Sequence, residues 1–354
     1  MSSSGTMDHK CQNCGAVLKF NPHGQNWVCE YCKSEFNKDE IDAYEASRGI
    51  EKLTNETEAV KLEKDLDGMD IYSCPNCGAQ IVADENTSAT FCVYCKSTAI
   101  LKNKLVGKFN PTEVIPFYKT REDAIEAFKK LGKGKPLMPR EFSNNKNIEE
   151  MRGVYIPFWL YDYSVNGNIV ADAKRINSWT SGGYRYTKTD TYRVDRSGSL
   201  NFYKVPVDGS THFDNSIMNS IEPFDYSGLV EFSPSYLSGF LAEKYDVDSN
   251  AAGVEALTRT QNSTTDVLRN DIIGYSSVVV TNTNHNVNLN KSEYVLLPVW
   301  LLNIKYEGKL YTFAMNGQTG KLIGNIPIDK KKAILYWILG FAIIMVILTI
   351  IWFI

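Results

Sequence analysis

Eight cysteines constrain this chain more than any other feature. All lie within the first 95 of 354 residues, as four C-x2-C pairs: Cys11 and Cys14, Cys29 and Cys32, Cys74 and Cys77, Cys92 and Cys95. Fourteen residues separate Cys14 from Cys29, and again Cys77 from Cys92, so C-x2-C-x14-C-x2-C occurs twice with an offset of 63 residues. Residues 11–34 and 74–97 align without a gap. Both begin Cys-x-Asn-Cys-Gly-Ala and end Cys-x-Tyr-Cys-Lys-Ser, which marks an internal duplication.

The spacing predicts two structural zinc sites, one per repeat. Zinc takes four ligands in a tetrahedron, and two residues between paired cysteines let a tight turn aim both sulfurs at one ion. Gly15 and Gly78 follow the second cysteine of each first pair, where the chain needs positive φ. Lys33 and Lys96 follow the other pairs, where a cation offsets the charge of a tetrathiolate. A thioredoxin-like site needs one pair beside a βαβ unit rather than four matched pairs. Four thiolates leave no open position for catalytic water. Repeats this small do not fold on burial alone, so metal binding is part of their folding. Phe20, Trp27 and Phe36 are expected as the core of the first repeat, and Ile81, Phe91 and Ile100 as that of the second.

The other end of the chain sets its location. From Ala333 to Ile354 run 22 residues without one Asp, Glu, Lys, Arg or His. At about 1.5 Å per residue a helix of that length crosses roughly 30 Å of hydrocarbon. Trp337 and Trp352 stand near its two ends, and Lys330, Lys331 and Lys332 precede it. Lysines flanking a span stay in the cytoplasm. Residues 1–10 hold no apolar stretch of the signal-peptide kind. The expectation is a single-pass, tail-anchored protein of the cell membrane with its N-terminal domain cytoplasmic. In that reducing compartment disulfides are not expected.

Five segments follow: a zinc ribbon at 1–37, an acidic linker at 38–70, a second ribbon at 71–100, an α+β domain at 101–328, and an anchor at 329–354. The linker carries 11 acids and 5 bases, whereas residues 98–140 carry 10 bases and 4 acids. Thr120-Arg-Glu-Asp123 reads as a capping box opening a helix striped by Ala124, Ile125, Phe128 and Leu131. Strands are expected at Val154–Tyr161, Tyr184–Val194, Tyr275–Thr281, Tyr294–Tyr306 and Lys309–Asn316. Asp195–Ser199 reads as a turn across which Asn201–Val207 pairs back. A helix is expected within Asp248–Arg269, and Asn316-Gly317 as a hairpin turn. Strands and helices do not alternate, so the fold class is α+β with a largely antiparallel sheet.

Enzyme motifs such as HExxH, GxSxG and the Walker loop are missing from the sequence, and no enzyme activity is expected, with an uncharacterised activity in residues 101–328 as an alternative. His212 beside Asp208 and Asp214 is the one histidine–acid pairing worth noting. Nucleic-acid binding is disfavoured, because residues 1–34 hold three bases and two acids and residues 71–97 one base and two acids.

The chain resembles bacterial membrane-anchored proteins described as TFIIB-type zinc-ribbon-containing, of the envelope-stress, phage-shock-associated kind. The resemblance rests on Cys11-Gln-Asn-Cys-Gly and Cys74-Pro-Asn-Cys-Gly, on Val114-Ile-Pro-Phe117, Val154-Tyr-Ile-Pro-Phe-Trp159, Leu297-Pro-Val-Trp300 and Ala314-Met-Asn-Gly-Gln-Thr-Gly320, and on the terminal span. It implies an adaptor that recruits cytosolic protein partners, phage-shock-protein-like ones among them, to the membrane under stress. It also implies the eight cysteines as zinc ligands and carries over no catalytic residue.

Overall fold

The computed structural model describes residues 6–7, 9–47, 70–73, 80–83, 87–91, 98–101 and 110–353. Cys74, Cys77, Gly78, Cys92, Cys95 and Lys96, together with residues 48–69 and 102–109, lie outside the described residues, as do the side chains of Ile81, Phe91 and Ile100.

The chain opens with β1 (Thr6–Met7), β2 (Leu18–Asn21), β3 (Asn26–Cys29), β4 (Glu35–Phe36) and helix α1 (Lys38–Ser47). The second repeat gives β5 (Asp70–Ser73), β6 (Gln80–Ala83), β7 (Thr87–Phe91) and β8 (Thr98–Leu101). There follow β9 (Glu113–Val114), α2 (Arg121–Gly132), α3 (Asn145–Ile148), β10 (Arg152–Ser181), β11 (Tyr184–Asp208), α4 (Asn215–Ile221), β12 (Val230–Glu231) and β13 (Leu241–Glu243). Then come α5 (Ser249–Asn270), β14 (Ser277–Tyr306), β15 (Lys309–Asn316), β16 (Leu322–Ile323) and α6 (Lys330–Phe353). The class is α+β and most strand pairs are antiparallel.

Pairing register repeats with the sequence. The first repeat pairs Lys10 with Val17, Trp27 with Phe36 and Val28 with Glu35. Adding 63 gives Ser73 with Gln80, Thr90 with Ala99 and Phe91 with Thr98, and all three pairs are present. Strands β7 and β8 also join the main sheet, β7 through β13 and β8 through β7, with β1 added outside β8.

Strand β10 is the spine of that sheet. It pairs with β14 along one edge, and with β13 and then β11 along the other. Its apolar run from Val154 to Tyr161 is buried on both faces, as continuous rather than alternating hydrophobicity requires. Tyr155, Trp159 and Tyr161 enter one core with Trp300 and Phe313. Val154, Ile156, Phe158 and Leu160 enter another with Met218, Ile221 and Phe224.

The expected turn at Asp195–Ser199 does not form. β11 runs straight through it, and Asn201 to Val207 pair with β10 rather than folding back on residues 184–194. Gly198, which suggests a turn, faces Gly167 across the ladder. A Cβ on Gly167 would sit 2.6 Å from Thr264 Cγ2, and one on Gly198 would sit 3.2 Å from Leu268 Cδ2. These glycines seat α5 against the sheet. The two strands expected at 275–281 and 294–306 are likewise one, β14, because the Asn-rich stretch between them stays paired to β10.

Helices α2 and α5 start where capping chemistry places them. Thr120 and Asp123 form the capping box of α2, and Asp248 caps α5. The hairpin at Asn316-Gly317 joins β15 to β16. Helix α6 is apolar, exposed along its length, and long enough to span a membrane.

Candidate metal centre

Cys11, Cys14, Cys29 and Cys32 come together with all four sulfurs within 4.8 Å of one another. Cys11 Sγ lies 3.5 Å from Cys32 Sγ, and Cys14 Sγ lies 3.5 Å from Cys29 Sγ. A disulfide would need about 2.05 Å. A tetrahedral ion with bonds to sulfur of about 2.3 Å needs sulfur–sulfur edges of about 3.8 Å. The four thiols are therefore close enough to hold one tetrahedral metal ion with sulfur–sulfur distances changing by no more than about 1 Å.

Two matching turns create this geometry. In the first, Gly15 N–H donates to Cys11 O (2.9 Å) and Cys11 N–H to Ala16 O (2.7 Å). In the second, Lys33 N–H donates to Cys29 O (2.9 Å) and Cys29 N–H to Ser34 O (2.9 Å). Gly15 has φ +74° and Lys33 has φ +61°. The position after each pair thus needs the left-handed conformation. A lysine there hides that need from a sequence reading based on glycine.

Ser34 also prepares a thiolate. Its hydroxyl lies 3.2 Å from Cys32 Sγ, and with its backbone amide it draws the Cys32 thiol down to about 6. At Cys14 the Ala16 amide favours the thiolate, but burial and the neighbouring sulfurs push its pKa up to about 12. Cys32 is thereby readied as a thiolate near neutrality, and a bound cation would supply the field that favours the thiolate form of its ligands.

The four-cysteine module is fastened to the 3-10 turn Pro234–Leu237, which leads into β13 of the main sheet. Trp27, fully buried, donates from Nε1 to Ser235 O at 2.8 Å, and Phe20 N–H donates to Ser238 O at 3.0 Å. The rings of Phe20, Trp27 and Tyr236 pack with centroids 5.1 to 5.4 Å apart. Gln25 Nε2 donates to Phe117 O at 2.8 Å. His23 Nε2 lies 2.8 Å from Asp123 Oδ2, the same carboxylate that caps α2. The core expected for the first repeat is present, but its aromatic side closes on Tyr236, a partner from far along the chain.

The downstream motifs converge beneath this contact. Phe117 stacks on Phe240 at 4.1 Å and meets Tyr155 at 5.0 Å and Trp300 at 5.1 Å. Trp300 Nε1 donates to Lys119 O at 2.9 Å. A Cβ on Gly317 would lie 2.6 Å from the Phe117 ring, so that turn must carry glycine. Four sequence motifs are one packing unit, and the four-cysteine module rests on it.

The remaining polar groups divide differently from the expectation. His212 Nδ1 lies 3.3 Å from Glu243, not beside Asp208 or Asp214, and Asp214 caps α4. Asp208 is buried. Burial and then the charge of Glu255 push its carboxyl up to about 6, against the pull of Arg259.

Over 337 residues the chain is 34% identical to YdjG, an uncharacterised protein of Bacillus subtilis (strain 168), covering 95% of this chain and 94% of that protein. The chain belongs to the YdjG family. No family model matches it, and no solved structure matches it. The likeness to YdjG runs nearly end to end, so it is a likeness of the whole architecture rather than of one module.

Proposed function

We propose that the protein is a membrane-tethered zinc-ribbon adaptor that recruits cytosolic protein partners to the inner face of the membrane. One observation carries this reading: the four-cysteine module is locked through Trp27 onto the turn that leads into β13 of the main sheet, in a chain whose last helix is apolar enough to span a membrane. A rigid, metal-stapled surface held at a bilayer suits protein recruitment. Two structural zinc ions are proposed, one on Cys11, Cys14, Cys29 and Cys32, the other on Cys74, Cys77, Cys92 and Cys95. The second site is supported by the pairing register, which repeats at 63 residues on strands flanking those cysteines.

Lys330, Lys331 and Lys332 before α6 support a cytoplasmic N-terminal domain. The resemblance to envelope-stress proteins supports a role under stress, with phage-shock-protein-like partners. Neither cysteine repeat carries the basic cluster that nucleic-acid binding requires.

Metal analysis of the full-length, detergent-solubilised protein tests this reading first. Two zinc ions per chain are expected, with one remaining in Cys11→Ser and one in Cys74→Ser. Zinc near zero in the wild type overturns the structural-metal assignment. Deleting residues 330–354 is expected to release the chain to the soluble fraction. Affinity capture from detergent extracts, with Cys74→Ser beside wild type, is expected to recover cytosolic proteins. Recovery of nucleic acid and its associated proteins alone would reverse the reading.

A further inference from the structure

Strand β11 is 25 residues long, and among the described residues it pairs with β10 alone. Its other edge is open. Natural sheets blunt such edges or use them, because a row of free N–H and C=O groups is a template for another strand. In the exposed part of this edge stands Tyr186-Thr-Lys-Thr-Asp-Thr-Tyr192. The segment reads the same in both directions, apart from Lys188 and Asp190, which occupy mirrored positions with opposite charge.

We propose that β11 is a self-association edge. Two copies of this chain would pair antiparallel about a two-fold axis at Thr189, joining their sheets into one. A two-fold interface requires a surface complementary to itself, and a palindrome with one charge swap is the strand form of that requirement. In this register Lys188 faces Asp190 of the second copy, Thr187 faces Thr191, Tyr186 faces Tyr192, and Tyr184 faces Val194, each twice. Aromatic, threonine and opposite-charge pairs are the favourable cross-strand combinations.

The surroundings agree. Ladder partners point to the same face, so Tyr186 shares one with Trp179, and Asp190 shares one with Arg175. Trp179 and Tyr186 stack at 5.7 Å while both stay about half exposed. Tyr192 of a second copy would extend that row of rings. The register opposes one like-charged pair, Arg185 and Arg193, and Asp172 lies across the ladder from Arg193 to offset it. Beyond Lys174, β14 no longer flanks β10, so among the described residues β10 and β11 alone make up the sheet there. Along the open stretch 277–293 of β14, Asn282 to Asn288 is also close to a palindrome, but it holds no mirrored pair of opposite charges to set a register. Pairing of β11 with β14 would be head-to-tail and would propagate rather than close.

The copy number of the full-length protein in detergent, read by native mass spectrometry, tests the proposal. Wild type is expected as two copies. Lys188→Asp and Asp190→Lys each place like charges across the axis twice, and each is expected to weaken the dimer by at least about tenfold. The double variant K188D/D190K restores the palindrome, together with the ion pair that Lys188 and Asp190 make at 3.2 Å within one strand, and is expected to return to two copies, while unchanged melting midpoints of the single variants separate lost pairing from lost folding. Thr189→Cys is expected to give an intermolecular disulfide above the wild-type background, because only the residue on the axis meets itself. A single copy in wild type overturns the proposal. So do two copies unchanged in both single variants, which would place the contact elsewhere, and open assemblies larger than two, which would indicate β11 on β14.

Discussion

The same three strands, β10, β11 and β14, build two regions that are held in different ways. Near residues 152–161 the sheet is buried on both faces, and the four-cysteine module closes over one side through Trp27 and Tyr236. Further out, one face is covered by α5, where Ile169, Ala171, Ala173 and Val194 meet Leu268 and Ile272. Past Lys174 the sheet is two strands wide, and Ile176, Trp179, Tyr184 and Tyr186 are exposed. A two-stranded ribbon is marginal by itself in water. The root is therefore held by packing on both of its faces, and the arm by α5 on one face and by pairing within the sheet. Strand length is not a measure of core: one continuous strand, β10, passes through both regimes.

The strongest perturbation asks whether the root depends on the module. Trp27→Ala removes a fully buried ring, its contacts with Phe20 and Tyr236, and the donor to Ser235 O. A loss of about 3–5 kcal/mol is expected, as for other large aromatic truncations in cores. Amide hydrogen exchange distinguishes the regions. Protection should fall in residues 18–36 and 235–240 and hold at 165–173. An equal fall at 165–173 would show that root and arm are one cooperative unit.

The second prediction concerns Asp208, at the root end of β11. Its carboxyl is buried and pushed up to about 6, first by burial and then by Glu255. The folded state therefore holds its proton more tightly than the unfolded chain, whose value is near 3.8. Stability from this group is full below the unfolded value and is lost as pH rises through the folded value. Asp208→Asn removes that penalty, so the variant is expected to be more stable at pH 7, by up to about 3 kcal/mol. The gain should shrink between about pH 6 and pH 4. Thermal melts of both proteins across that range test it, and a difference that does not change with pH would remove Asp208 as its source.

What is legible in the sequence follows the same division. The four-cysteine pairing, the apolar run 154–161, the capping residues Thr120 and Asp248 and the apolar α6 are local signals, and each appears where its pattern sits. The arm defeats a local reading because its signals are relational. Asp195 to Ser199 has turn composition, yet Gly198 is there so that Leu268 can approach. The Asn-rich half of β14 has little strand propensity of its own and is extended because β10 pairs with it along most of its length. The seat of the four-cysteine module is hidden for a similar reason. Ser235, Tyr236 and Ser238 carry no motif, and only the fold brings them to Trp27. The four downstream motifs are readable as segments, but their meeting at Phe117 depends on long-range pairing of β9, β10, β14 and β15.

The finest distinction lies between the two cysteine turns. Both need a left-handed residue after the second cysteine; Gly15 meets that need freely, whereas Lys33 holds φ +61° with a side chain attached. An L-residue in that region costs roughly 1–2 kcal/mol, and the extra freedom of glycine in the unfolded chain returns roughly 0.5–1 kcal/mol of this. Lys33→Gly is therefore expected to stabilise the metal-loaded module by about 0.5–1 kcal/mol. The opposing consideration is charge, since Lys33 stands beside sulfurs that become thiolates on metal binding. Its Nζ is a flexible, solvated cation on an exposed turn, and such charges are strongly screened. Backbone strain should outweigh it. Metal content and the melting midpoint, measured together on Lys33→Gly, separate the two. A higher midpoint at unchanged metal content supports the conformational account. A lower midpoint with metal lost at physiological salt would mean that the lysine is kept for its charge, and that the two turns share a shape for different reasons.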